Sequence, residues 1–285
     1  MVDGLARLRP GGPGAAVDVG CDLVWVEGPE AEHFLQGVLS NDIARLPPRA
    51  SLEALLLDVK GHVRHGVHVH RDGPDAFTLV TSRGAGDALV EDLERLHVSE
   101  EIDIFGDAGD LVVTNAPGDP GADLEIAMRP DGLRGLVGKA ADALAAALAV
   151  PLVPAGTLDA LRVEMGEPDP NIDGAGRLVQ EAGLDGIAVS FSKGCYLGQE
   201  TVARVAHRGK VNRRLAGLRL DAPTPTGAAV SLGGREVGRL GAVAEHPLLG
   251  PIALAVLRNE AAPGVAVDVG GVPGRVVGLP FPTTA

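Results

Sequence analysis

Three stretches hold most of the side chains that could do chemistry. KGCYLGQE, residues 193–200, sets one of only two cysteines in 285 residues between a glycine and a tyrosine. Gly194 permits an unusual backbone angle or a close ligand approach, and GQETVARVAH, residues 198–207, reads as a helix beginning just after the thiol. A cysteine at a helix N-terminus, with Lys193 two residues upstream and arginines downstream, meets the conditions that enrich thiolate. Nucleophilic, metal-ligating and redox roles all follow from such a thiol. The spacing also allows a packed loop, with Cys195 and Tyr196 turned inward and Gln199 and Glu200 supplying first-turn polarity. No second cysteine stands at CxxC spacing, so neither a dithiol nor a self-contained zinc or iron–sulfur site can be built here. Cys21, in the strand-like VDVGCDLVWVEG, reads as a small buried hydrophobe. The two cysteines lie far apart in sequence and read as reduced thiols rather than a staple.

The second stretch, HVRHGVHVH, carries His62, His65, His68 and His70. In a strand His68 and His70 share a face, and His62 joins them if no bulge intervenes. Three imidazoles on one face suit a divalent ion, yet no acidic orienting group stands at a helpful spacing. The reading is therefore of histidines facing a cavity or solvent, without a metal. The third stretch, ARVAHRGKVNRR, gathers Arg204, Arg208, Lys210, Arg213 and Arg214 in a chain of net charge −13. These cations either offset a helix C-terminal dipole or form an electropositive rim for an anionic ligand.

The elements that must position these groups follow from composition and pattern. Apolar residues make up 45% and aromatics 2%, with 40 glycines and 21 prolines, so the cores are Ala, Val and Leu joined by many turns. The length implies two or three compact units. No apolar run is long enough to span a membrane and residues 1–14 lack the apolar core of a signal peptide, which predicts a cytoplasmic protein with no membrane partner. The net charge argues against stable nucleic-acid binding.

Strands are predicted at 15–20, 23–27, 52–58, 63–70, 76–81, 102–105, 111–114 and 124–128. Helices are predicted within 28–43, with Pro29 in the first turn and Phe34, Leu35 and Val38 on one face, and over 86–98 with Ala88, Leu89, Leu93 and Leu96 inward. The alanine-rich run 134–150 reads as one helix and TLDALRVEMG as another. Residues 166–192 form a long ordered loop of the kind that carries function. From Leu215 onward only short β-type runs occur, which imply a small barrel or sandwich. The fold class is α+β, with a N-terminal α+β domain at 1–133, a middle segment carrying KGCYLGQE at 134–211 and a C-terminal β-barrel at 212–285.

KGCYLGQE is similar to the signature of the YgfZ family of folate-binding proteins, relatives of the aminomethyltransferase (T-protein) of the glycine cleavage system. LDALRVEMGEPDPNID, followed by QEAGL, resembles the family's Arg-x-Glu-x-Gly, acidic Ile-Asp and Glu-Ala-Gly-Leu segments, and FLQGVLSNDIARL resembles its Leu-Gln-Gly and Thr-Asn-Asp. The resemblance implies a GcvT/YgfZ-like ring of domains around a central folate cavity, closed by a C-terminal barrel. It implies tetrahydrofolate, or a one-carbon derivative, as cofactor, and iron–sulfur enzymes, including those that thiolate tRNA, as transient partners. Cys195 would be the essential thiol, with Lys193 beside it in catalysis. Glu164 matches the glutamate that contacts the pterin in T-proteins, and Asn41, Tyr196, Gln199, Glu200 and Arg204 complete the expected folate surroundings. The basic run would then attract a polyglutamate tail.

One departure limits the analogy. T-proteins carry an acidic pair after Gly-Gly, one member of which is tied to methylene transfer, and Arg64 and His65 stand about there. Arginine cannot act as a carboxylate base, so glycine-cleavage transfer is not expected. Three functions remain open: iron–sulfur enzyme maintenance through Cys195, one-carbon transfer with Cys195 replacing the acid, and a non-catalytic folate-sensing module.

Overall fold

The computed structural model of the protein describes residues 2–209 and 211–282. Helix α1 (Val2–Leu8), which periodicity did not reveal, buries Leu5 and Leu8. Strands β1 (Ala16–Asp18) and β2 (Cys21–Glu27) lead to α2 (Ala31–Val38), where Phe34 and Leu35 are buried and Pro29 lies ahead of the N-cap position, Glu30. The chain continues through β3 (Ser51–Leu57), β4 (Val63–Arg71) and β5 (Ala76–Thr81) to α3 (Gly86–Leu96), which seats Leu89 and Leu93. Next come β6 (Asp103–Gly109), β7 (Leu111–Thr114) and β8 (Leu124–Met128).

The alanine-rich run departs from its predicted helix. Its first residues belong to β9 (Leu133–Val137), which pairs with β7 on one side and β8 on the other. Helix α4 covers only Ala141–Leu148, after Gly138 turns the chain at a φ of 100°. Burial of Leu136 and Val137 between two strands outweighs helix propensity, which is a weak term beside tertiary contacts. A division of the chain at residue 134 would cut through this strand. Helices α5 (Gly156–Met165) and α6 (Gln199–Arg208) lie where the patterns predict them, and residues 166–198 between them form turns with no helix or strand.

Two antiparallel sheets and a barrel result. The order β3-β4-β5-β2-β6 packs a core of Val24, Leu56 and Phe77 against Leu35 of α2 and Leu89 of α3, while β1-β7-β9-β8 packs against α1 and α5. The last six strands, β10 (Arg213–Leu220), β11 (Ala229–Leu232), β12 (Arg235–His246), β13 (Gly250–Arg258), β14 (Ala266–Val269) and β15 (Val272–Val277), close on themselves in the order β10-β13-β12-β11-β14-β15. Closure satisfies every edge without a partner sheet.

The long loop is ordered because its polar groups are engaged. Asn171 Oδ1 accepts the Gly66 N–H at 2.7 Å, and Nδ2 donates to Ser82 Oγ at 2.9 Å. Buried Asp173 accepts the Ala242 N–H at the irregularity in β12 and the Asp169 N–H, both at 2.8 Å. A Cβ at Gly241 would overlap Asp173 Oδ1, so only glycine allows this staple between loop and barrel. Burial pushes the Asp173 carboxyl up to about 6, against the lowering by its two N–H donors. A folded-state value above the usual one means that the fold takes up a proton as pH falls from 7 towards 4, so this group adds stability on acidification and loses it as pH rises through 6. Urea melts of wild type and Asp173→Asn at pH 7 and pH 4.5 should therefore show the wild type gaining relative to the variant at the lower pH.

Candidate functional site

A cavity of about 230 Å³ lies where β3, β4, the end of β8, α5 and the long loop converge. Glu53, His68, Arg129, Asp159, Arg162 and Asp169 supply its polar lining, and Arg83 lines it from beyond β5. Arg162 Nη1 donates to Asp169 Oδ2 at 3.0 Å. Arg129 Nε approaches Glu53 Oε1 at 3.4 Å, yet this buried nitrogen makes no hydrogen bond. Asp159 is exposed and, among the described residues, has no hydrogen-bond or ion-pair partner. Burial raises the Glu53 carboxyl, opposed by Arg129 and Arg162, and partial withdrawal from water at the cavity wall raises that of Asp159, opposed by Arg162. His68 is pushed down to about 4 by removal from water and then by the Arg162 charge, so it lines the cavity as a neutral imidazole.

Glu164 is not part of this lining. It is buried with both oxygens in use: Arg9 Nη2 donates to Oε1 at 2.7 Å and Oε2 at 2.6 Å, and His246 Nε2 lies 3.1 Å from Oε2. His246 Nδ1 accepts the Leu248 and Leu249 N–H groups, which leaves Nε2 as the protonated nitrogen donating to Glu164. The expected pterin carboxylate is thus a bolt joining α5, the segment after α1 and the barrel. Helical geometry explains the change, because Asp159 and Arg162 share a face at i, i+3 and Glu164 is turned away from it.

Lys193 also differs from expectation. It is buried, and its Nζ donates to the carbonyls of Gln36, Leu39 and Asn41 at 2.7, 2.7 and 2.8 Å, 5.2 Å from the Tyr196 ring centroid. Burial pushes it down to about 8, with Asp42 acting in opposition, so at neutral pH the ammonium keeps three donors for three carbonyls. Leu197 N–H takes the Gly37 carbonyl and Ser190 N–H that of Ser40. The cysteine loop is thereby the C-terminal cap of α2, satisfying carbonyls that a helix end leaves open.

This anchoring presents Cys195, which is exposed, four residues ahead of α6, and which does not line the cavity. Cys21 is buried, its thiol pushed up to about 12 by burial and then by Asp22. Tyr196 packs in a core with Leu57, Val63 and Val202. Gln199 Nε2 donates to the Gly194 carbonyl at 3.3 Å, closing the loop, and Glu200 is exposed. Asn41 uses Nδ2 on the Glu53 carbonyl at 2.7 Å, so one short chain of contacts links Lys193 to a cavity residue. Arg204 is exposed on α6, while Arg213 and Arg214 reach barrel carbonyls of Val237 and Ala261. Lys210 and the side chain of Arg208 lie outside the described residues. The cations that do line the cavity are Arg83, Arg129 and Arg162.

The histidines divide. His68 lines the cavity, His62 Nδ1 pairs with Asp58 at 3.0 Å and His65 Nε2 with Asp92 at 2.9 Å, since a register shift in β4 separates the faces. Arg64 also holds Asp92 with two nitrogens. Burial would raise the Asp92 carboxyl, but the hydrogen bonds from Arg64 and His65 outweigh it and hold it below the usual range. Arg64 and His65 therefore answer a carboxylate of α3 and do not face the cavity. Among the described residues, no three His, Cys, Asp or Glu side chains converge as a metal site, and no helix is long and apolar enough to cross a membrane.

Sequence alone did not single out Glu53, Arg129 or Asp159. The i, i+3 spacing of Asp159 and Arg162, which sets them on one helix face, is the signal that could have found one of them.

Residues 212–279 match the family described as CAF17, C-terminal beta-barrel domain. The chain is 29% identical over 226 residues to the tRNA-modifying protein YgfZ of Klebsiella pneumoniae, covering 68% of this chain and 67% of that one. It is 26% identical over 231 residues to a mitochondrial iron–sulfur cluster assembly factor IBA57 homologue of Chaetomium globosum, covering 68% and 53%. Matched segments span 22% to 69% of the length of the curated relatives. The glycine cleavage system aminomethyltransferase T of Bartonella henselae superposes with a TM-score of 0.76 at 21% identity, over 94% of this chain and 86% of that one, a likeness of fold.

Proposed function

We propose that this chain, which has an aminomethyltransferase-like fold and is similar to YgfZ and IBA57 proteins, binds tetrahydrofolate, or a one-carbon derivative, and supports assembly or repair of iron–sulfur enzymes through Cys195. Tetrahydrofolate fits the residues present: among the described residues, the cavity offers at Asp159 a carboxylate with no hydrogen-bond partner and at Arg129 Nε a buried donor with no hydrogen bond. A volume of about 230 Å³ is below the roughly 300–1,000 Å³ typical of sites that enclose a drug-sized ligand. It suits the bicyclic ring, with the acidic tail running outward past Arg83.

The observation that carries the reading is the position of Cys195, exposed on an anchored loop and outside the cavity lining. A thiol held there meets a macromolecular partner more readily than a ring seated in the cavity. That position speaks against one-carbon transfer with Cys195 as substitute acid, as do Arg64 and His65, which are bound to Asp92. The client enzymes, including tRNA-thiolating ones, belong to this reading, as does the cytoplasm, although the fungal relative is named as mitochondrial.

Cys195→Ser is expected to keep the wild-type thermal midpoint and tetrahydrofolate affinity, and to fail to restore iron–sulfur enzyme activity in cells lacking the protein. Full restoration by this variant would refute a role for the thiol.

A further inference from the structure

The cavity holds two unmet hydrogen-bonding capacities. Among the described residues, the Asp159 carboxylate has no partner, whereas Asp169 is held by Arg162. Arg129 Nε is buried without a hydrogen bond, because its approach to Glu53 at 3.4 Å lacks the geometry for one. A buried donor with no acceptor carries a desolvation cost that a ligand oxygen removes. A carboxylate open to a cavity is matched by two adjacent N–H donors, one for each oxygen.

We propose that Asp159 and Arg129 read the heterocycle of the folate: Asp159 accepts its ring N–H and neighbouring amino group, and Arg129 Nε donates to the adjacent ring carbonyl. This assignment rests on the folate reading above and names the residues that serve it. Glu53 and Arg162 are positioning residues, Glu53 by facing Arg129 and Arg162 by holding Asp169 clear of the ring's donors. Glu164 is excluded from the role because Arg9 and His246 already use both of its oxygens.

Calorimetric titration tests the assignment with tetrahydrofolate and with p-aminobenzoylglutamate, which lacks the heterocycle, against wild type, Asp159→Asn and Arg129→Lys. Each substitution should weaken tetrahydrofolate binding by about tenfold or more, since a charge-assisted pair is lost. The weaker binding of p-aminobenzoylglutamate should stay unchanged, and so should the thermal midpoint of Asp159→Asn, an exposed residue. Wild-type binding with both variants within twofold of it would overturn the assignment and leave the folate reading standing. Absence of tetrahydrofolate binding to wild type would overturn both. If Asp159→Asn does not fold, Arg129→Lys alone decides.

Discussion

Glu164→Ala is expected to destabilise the protein by about 3–5 kcal/mol, the usual cost of removing one member of a buried ion pair. Glu164 and the His246 side chain are both 1% exposed, and Arg9 is partly open to solvent. Arg9 can turn outward when the carboxylate is lost, but His246 cannot, because its Nδ1 remains fixed by the Leu248 and Leu249 amides and its Nε2–H is left unpaired. The damage reaches the contact between the barrel and the rest of the chain, since β12 packs against α5. Differential scanning calorimetry should show the midpoint falling by roughly 10 °C, and Glu164→Gln should recover only part of it because the amide presents one acceptor in place of two. A midpoint within about a degree of wild type, coupled to lost tetrahydrofolate affinity, would restore Glu164 as a ligand contact and refute the bolt.

Lys193→Met should produce the second large effect. The substitution keeps the apolar stem over Tyr196 and removes the ammonium, so the carbonyls of Gln36, Leu39 and Asn41 lose their charged donor together. Three charge-assisted bonds with at least one buried acceptor make a loss on the order of 3 kcal/mol. Because the same loop caps α2, the loss is both local and global. The Ser190 and Leu197 amides, bonded to Ser40 and Gly37, should exchange with solvent deuterium faster than wild type by two orders of magnitude or more, as 3 kcal/mol of local opening implies. A lysine that served only in catalysis at Cys195 would leave exchange and melting unchanged, and that result would sink the anchoring role.

The two residues illustrate how a family pattern and a structure can diverge. Lys193 and Glu164 stood out because charged groups beside a thiol or inside a matched segment suggest chemistry. Both are buried, and a buried charge persists only when it is paired or hydrogen-bonded, so the interior used them for joining segments. Asp159 and Arg129 had no such advertisement, because a cavity lining drawn from a helix, a strand end and a loop has no spacing in sequence.

What the sequence by itself determined is local or cumulative. The short β-type runs after Leu215 marked a small barrel or sandwich, and six strands there close as a barrel, because β-propensity and flanking turn residues act within a few positions. The helices read over residues 157–166 and 198–207 are present, each shifted by one residue, because helical pattern is likewise local. KGCYLGQE and its companion segments resembled the YgfZ pattern and so pointed to the aminomethyltransferase-like fold. Tertiary structure decided that residues 133–137 form a strand between two others: β8 is its hairpin neighbour, but β7, on the other side, comes from a more distant segment. It alone decided that Lys193 bonds the carbonyls at the end of α2, that Glu164 faces the barrel, and that Arg129 Nε and Asp159 reach one cavity with no hydrogen-bond partner among the described residues. Burial and long-range hydrogen bonding set those outcomes, and neither is encoded in the spacing of a single segment.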